Sequence, residues 1–350
     1  MKNQILDNIS GVVLDADFER MIDIDLPTVY SIETKKCNGN KMFREKRTYG
    51  EFMFIGDIHY GNSVFCRNVL NGYLLYLREN PNVMIGLMGD ILEYGEGTNY
   101  IREDESTPID DQIQAFVSDF KPFAKRVKFI LWGNHEERYV KNSKSKNLMR
   151  VLALELGLNP DNGECYVAEP QRGLFVNFKS GNKVYGAYVQ HSKTNAKINQ
   201  DMQLQRAGSQ NITAMIVHGH THRMAWKPRT FRILETLNGR PTNVVRRQYL
   251  LATGCFLKYP SYAEAGSMPY TEVGAPIVKF YSDGNQLEEY DLTNRYREYL
   301  TRGGIAALPR IPLSDNMVSL LNPTLNKQPN PTTMIQESQQ GREKEQRGNV

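Results

Sequence analysis

The histidines are the residues to weigh first. The chain has six, and each stands at or just past the end of an expected strand. Read in chain order with the acids and amides around them, they give Gly56-Asp57-Ile58-His59, then Gly89-Asp90, Gly133-Asn134-His135-Glu136, His191, and Gly219-His220-Thr221-His222, with His218 just ahead of the last block. Carboxylates, one amide oxygen and several imidazoles form a mixed nitrogen and oxygen donor set, which suits Mn, Fe or Zn better than the all-oxygen shells of Ca or Mg. There are too many donors for one ion. Two divalent ions sharing a carboxylate, about 3.5–4 Å apart, would use them all and would clamp a phosphorus centre for in-line displacement. In Asp57-Ile58-His59 and His220-Thr221-His222 the i, i+2 spacing in extended backbone predicts both ligands on one side.

Each block follows a short apolar run, and in α/β folds the carboxyl ends of neighbouring strands converge on one crevice. The glycines opening most blocks let the chain turn sharply and keep bulk out of that crevice. Strands are expected at Phe52–Ile55, Val83–Met88, Val127–Trp132, Leu174–Phe178, Val184–Val189, Ala214–Val217, Tyr249–Ala252 and Pro276–Tyr281. Helices are expected at Ser63–Arg78, Asp111–Arg126, Glu137–Leu156 and Thr194–Ala207. Ser180-Gly181-Asn182 and Asp283-Gly284-Asn285 read as hairpin turns, so antiparallel pairs join the alternating αβ pattern and the sheets are mixed. Residues 1–48 read as an extension without clear regular structure, 49–298 as the catalytic domain, and 299–350, rich in Asn, Gln, Pro and charge, as a flexible polar tail.

These blocks resemble the GDxH, GD, GNH(E/D), H and GHxH motifs of the calcineurin-like metallophosphoesterase superfamily, in order, from about Phe52 to Arg223. The aromatic loop Tyr259 to Tyr270 is similar to that of phage and bacterial phosphoesterases. The resemblance implies a four-layer αββα sandwich, two mixed β-sheets flanked by helices, with a dinuclear metal site at the strand ends. It implies one ion held by Asp57, His59, Asp90 and His222, and another by Asp90, Asn134, His191 and His220, with Asp90 bridging. A metal-bridging hydroxide would be the nucleophile, and His135 would protonate or stabilise the leaving oxygen. His218 reads as structural, and Glu136 and Glu137 as acids suited to a helix start.

Composition narrows the setting. Lys and Arg number 43 against 39 Asp and Glu, for a formal charge of +4, so bulk charge identifies no partner. The four cysteines lie far apart without a CxxC pair, which argues against a zinc finger or disulfide framework and for a reducing cytoplasm. Met1–Asp17 does not build a signal peptide, and no run approaches the roughly 20 apolar residues of a membrane span.

The resemblance implies a phosphoester substrate. Protein phosphatases of the superfamily read GDxVDRG at the second block, where this chain reads Gly89-Asp90-Ile91-Leu92-Glu93-Tyr94-Gly95. Arg223, Lys227, Arg229, Arg232, Arg240, Arg246 and Arg247 face a single acid, Glu235, within one expected hairpin, placed to steer a polyanion to the crevice. The leading expectation is therefore a phosphodiesterase acting on nucleic acid or a nucleotide. A phosphomonoesterase or small-metabolite phosphate hydrolase is the alternative, and a non-catalytic binding protein ranks last.

Overall fold

Phe52 and Phe54 alternate with Met53 and Ile55 along one strand, and all of these side chains are fully buried. A strand buried on both faces lies in the middle of a layered structure. The computed structural model describes residues 21–36, 42–94, 107–143, 147–191, 200–258, 272–283 and 287–290. The chain divides into two units, Met1–Leu308 and Pro309–Val350, and the described residues all belong to the first.

One sheet runs β13 (Leu287–Tyr290), β12 (Ile277–Tyr281), β3 (Met42–Ile55), β4 (Met84–Leu87), β5 (Val127–Ile130) and β6 (Tyr166–Val167), with β2 (Val29–Lys36) paired to the first half of β3. The other runs β1 (Met21–Asp25), β7 (Leu174–Ser180), β8 (Lys183–His191), β9 (Met215–Gly219), β11 (Arg240–Thr253) and β10 (Met224–Leu237). Strands β3 to β6 are parallel, as are β8, β9 and β11, while β12 and β10 pair antiparallel to their neighbours. Parallel neighbours need crossovers, which the helices supply. These are α1 (Arg67–Glu79), α2 (Ile109–Phe120), α3 (Asn134–Ser143), α4 (Leu148–Glu155) and α5 (Gln200–Gln210).

Aromatic rings fill the space between the sheets. Phe178 of β7 meets Phe52 edge-on, with centroids 4.7 Å apart, and lies 4.7 Å from Phe280 of β12. On the outer face of the second sheet, Leu204 and Ala207 of α5 cover Ile216, Leu250 and Ala252. The outer layer of the first sheet is made by the buried faces of α1 (Leu70, Tyr73, Leu74, Leu77) and α2 (Phe116, Phe120). The result is the helix–sheet–sheet–helix sandwich. Among the described residues no helix is long and apolar enough to cross a membrane.

Three features depart from the sequence reading. The stretch before Tyr49 is not irregular: β1 pairs with β7, and β2 with the start of β3. The expected helix Glu137–Leu156 is two helices, because Asn147 stands in the left-handed region at φ 69° and restarts the chain at α4. Strands β10 and β11 are far longer than the expected Tyr249–Ala252, and the signal was the Asn238-Gly239 pair, whose φ values of 52° and 78° make the turn between them. The Ser180-Gly181-Asn182 turn joins β7 to β8 as read. The aromatic loop 259–270, the polar tail and most of the Asp283–Asn285 turn lie outside the described residues.

Candidate metal centre

Parallel strands bring their carboxyl ends to one edge. Asp57 and His59 follow β3, Asp90 follows β4, Asn134 and His135 follow β5, His191 ends β8, and His220 and His222 follow β9. The donors converge. His222 Nε2 lies 3.2 Å from Asp57 Oδ1 and 3.2 Å from His59 Nε2. His191 Nε2 lies 3.2 Å from Asp90 Oδ2 and 3.2 Å from Asn134 Oδ1, and His59 Nε2 is 3.9 Å from Asp90 Oδ2. One donor atom each from Asp57, His59 and His222 lies within 4.8 Å of the others; the same holds for Asp90, His191 and His220, and for His59, Asp90 and His135. Every residue named from the sequence as a ligand is thus in one cluster, with His135 at its edge.

The backbone there is strained. Among the described residues, the non-glycine positions with positive φ include Asp57 (48°), His59 (56°), Asp90 (46°), His220 (79°) and His222 (54°). The extended backbone assumed for the i, i+2 pairs is therefore corrected: left-handed turns, not strand alternation, aim these side chains. Such conformations cost on the order of 1–3 kcal/mol each and persist only where surroundings over-determine them. Backbone bonds across loops do so here, with the Asp57 N–H donating to Gly89 O (2.9 Å), the His59 N–H to Asp90 O (3.0 Å), and the Phe256 N–H to Asp57 O (2.9 Å). Gly133 is required by contact: a Cβ there would sit 2.0 Å from Asp90 N.

Tautomers are set by outer partners. His191 Nδ1 lies 2.8 Å from Met88 O, and a carbonyl only accepts, so Nδ1 carries a proton and Nε2, once its own proton is lost, is the atom left to bind a cation beside Asp90 and Asn134. His59 Nδ1 lies 2.9 Å from Glu93 Oε2, which likewise frees Nε2. Among the described residues His220 Nδ1 is buried with no hydrogen-bond partner. An orphaned imidazole nitrogen among carboxylates fits a cation ligand, since leaving it unpaired is otherwise costly.

Charge reinforces the geometry. Asp57 and Asp90 are buried, which alone would raise their pKa values. For Asp57 the His222 bond and the charge of His191 win and lower it; for Asp90 the charges of His191, His135 and His59 hold it well below the carboxylate range. Burial works against protonation of His191 and His135, yet Asp90 raises His191 to about 10, and Asp90 with Glu93 raises His135 to about 9. Burial, aided by the charge of His191, pushes His218 and His220 down to about 4. His218, read from the sequence as structural, is buried with its Nε2 2.6 Å from Gln190 Nε2.

Two acids near the centre have roles that the sequence reading did not assign to them. Glu93 Oε2 accepts from His59 and, at 2.8 Å, from Asn62 Nδ2, while Oε1 lies 3.0 Å from His135 Nδ1 without the alignment of a full hydrogen bond. Its own backbone is held both ways by Gln112, which accepts from the Glu93 N–H at 2.7 Å and donates to Glu93 O at 3.1 Å. Glu136 stands in the first turn of α3, at the helix start where the sequence placed it, and is buried there. It accepts from the N–H groups of Ile91 (2.7 Å), Leu92 (2.9 Å), Gly133 (2.9 Å) and Asp90 (3.1 Å), tying the loops after β4 and β5 together. The available signal for Glu93 was its place three residues after Asp90; for Glu136 it was only adjacency to His135.

The basic hairpin does not frame the crevice. Strand β10 leaves the centre at Met224 and runs to Leu237, so at about 3.4 Å per residue its tip lies roughly 45 Å away. Only Arg223 and Lys227, both exposed, stay near the centre.

The family model for calcineurin-like phosphoesterases matches residues 50–224, half of the chain, and spans every residue of the cluster. No curated protein matches the sequence. Among solved structures, vacuolar protein sorting 29 from Cryptosporidium parvum is 13% identical, with a TM-score of 0.37 over 69% of this chain and 96% of that one. The same protein from Entamoeba histolytica, solved in complex with zinc, is 12% identical, with a TM-score of 0.31 over 69% and 99%. A predicted phosphoesterase from Streptococcus pneumoniae is 12% identical, with a TM-score of 0.29 over 69% and 97%. With its motifs gathered at the strand ends and its family model spanning all of them, the chain belongs to the calcineurin-like phosphoesterases.

Proposed function

We propose that the protein is a metal-dependent phosphodiesterase whose substrate is nucleic acid or a nucleotide, using two divalent ions. Asp57, His59, Asp90 and His222 would hold one ion and Asp90, Asn134, His191 and His220 the other, with Mn the expected metal and Fe or Zn suited to the same donors. The observation that carries the reading is the position of Asp90, whose Oδ2 lies 3.2 Å from His191 and 3.9 Å from His59, so that one buried carboxylate reaches both donor groups. Two such ions, when bound, activate a water and draw charge from the phosphoryl oxygens.

The chain's own residues do the rest. His135, raised to about 9, carries a proton at neutral pH and donates it to the leaving oxygen. Its backbone N–H, 2.9 Å from Asp90 Oδ1, fixes its place beside the bridging carboxylate. Glu93 keeps that proton on the imidazole.

A diester is favoured over a monoester by charge. A monoester carries close to two negative charges near neutral pH and a diester one, and the Glu93 carboxylate standing behind His135 opposes the more highly charged group. Tyr94 occupies the place where the protein phosphatases of the superfamily carry a phosphate-gripping Arg. We take 49–298 as the catalytic domain. Cys66, Cys165 and Cys255 are free and buried, which supports a reducing, cytoplasmic setting.

The test follows end-labelled single- and double-stranded DNA after EDTA treatment and Mn readdition. Cleavage that needs both Mn and His135 is expected. Intact DNA at high enzyme, together with hydrolysis of a simple monoester, would replace this reading with the phosphomonoesterase one.

A further inference from the structure

Strands β10 and β11 pair along their whole length, from Met224 opposite Thr253 to Leu237 opposite Arg240. Strand β11 pairs with β9 only over Tyr249–Ala252. Beyond Arg229 and Gln248 the two strands therefore continue as a free ribbon, reaching roughly 25–30 Å past the sheet. Because β9 and β11 are parallel and the metal-centre loops follow the carboxyl end of β9, the ribbon leaves from the opposite end of the sheet.

Its root is fixed. Arg229 Nε donates to Gln248 Oε1 at 2.7 Å, and its NH1 reaches Ser209 Oγ at 3.3 Å on α5. Buried Gln248 donates to the carbonyls of Asn211 (2.8 Å) and Thr213 (2.9 Å). The arm is held by specific contacts at its root, at the end of the sheet away from the metal-centre loops.

Its surface is cationic. The side chains of Arg232, Arg240 and Arg247 are exposed and make no hydrogen bond or ion pair among the described residues, and Glu235 is the single acid between Met224 and Thr253. The register places Arg232 opposite Val245, and Arg247 two residues further along the same face, so their Cβ atoms are diagonal neighbours about 7–8 Å apart. Leu234 (76% exposed) and Val245 (62%) share that face. A second copy paired along β10 would bring like charges together, whereas a polyanion neutralises them. A two-stranded ribbon is also a shape that the major groove of B-DNA admits.

We propose that the β10–β11 arm is a docking element for duplex DNA, with Leu234 and Val245 against the groove, Arg232 and Arg247 of the same face on the phosphate backbone, and Arg240, beside the turn and on the other face, on phosphates at the tip. The idea rests on the nucleic-acid reading above and deepens it: the arm holds the duplex at a distance while the metal centre hydrolyses elsewhere along the substrate.

The experiment uses the full chain in EDTA and a labelled DNA duplex, with fluorescence anisotropy across a salt series. The triple variant Arg232→Ala, Arg240→Ala, Arg247→Ala should bind more weakly, and the slope of log K against log salt should fall by about 0.9 per arginine removed. The matching lysine variants should keep most of the binding, and Mn-dependent hydrolysis of bis(p-nitrophenyl) phosphate should not change in either set. An unchanged slope in the triple variant, or no duplex binding by a wild-type protein that hydrolyses the diester, would overturn the arm alone. Arm-dependent binding without any diesterase activity would instead sink the hydrolytic reading and leave the arm standing.

Discussion

His135 Nδ1 lies 3.0 Å from Glu93 Oε1 and 3.2 Å from the Tyr94 N–H, and these contacts ask for opposite protonation of one nitrogen. The buried carboxylates decide it in favour of the proton. Glu93→Gln preserves shape and removes that charge, so the His135 pKa should fall from about 9. The alkaline limb of the kcat profile should then move to lower pH; an unmoved limb would mean that Glu93 does not govern the acid. His135→Ala should lower kcat by about 10²–10⁴ while metal content, read by elemental analysis, stays constant. His191 makes a second, opposite point about pH. Its pKa is raised from 6.5 to about 10, so in metal-free protein it contributes stability that is fully present below about 6.5 and lost as pH rises through about 10. Metal binding must displace that proton. The gain in melting temperature on adding Mn to EDTA-treated protein should therefore grow between pH 6.5 and 9, and a gain that does not change with pH would contradict the protonation state described.

The loops after β4 and β5 behave as one unit through Glu136, which collects N–H groups from both. Glu136→Ala would leave several buried donors unpaired, so a loss of roughly 3–5 kcal/mol is expected in urea unfolding, with weakened metal binding alongside. Substitution without measurable destabilisation would remove Glu136 from the framework. At this scale the sequence is readable where physics makes it periodic. The runs before Asp57, Asp90, Asn134 and His220 are continuous apolar strands ending in glycine-bearing turns, and they were legible. Met21–Asp25 was not, because only Ile24 of that short strand is fully buried. Strand β2 and the first half of β3 carry charged residues at many positions and pair mainly with each other, so no apolar rhythm marks them. The left-handed turns at Asp57, His59, His220 and His222 could not be read either, since the residue types there favour no such conformation strongly enough. What fixes them is hydrogen bonding between segments distant in sequence.

Across the whole molecule, catalysis and charge are separated. The metal-centre loops occupy one end of the second sheet and the β10–β11 ribbon extends from the other, although both lie within a few residues of one another in the chain at His222 and Met224. Adjacency in sequence suggested a substrate funnel; strand direction turns it into a remote arm. The central claim is that Asp90 joins two ions into one diesterase centre, and Mn titration of EDTA-stripped protein with bis(p-nitrophenyl) phosphate, comparing wild type with Asp90→Asn, tests it most directly. Activity should be absent without metal, should saturate at about two ions per chain, and should be lost in the variant. Full hydrolysis in EDTA, or wild-type rates from Asp90→Asn, would contradict it.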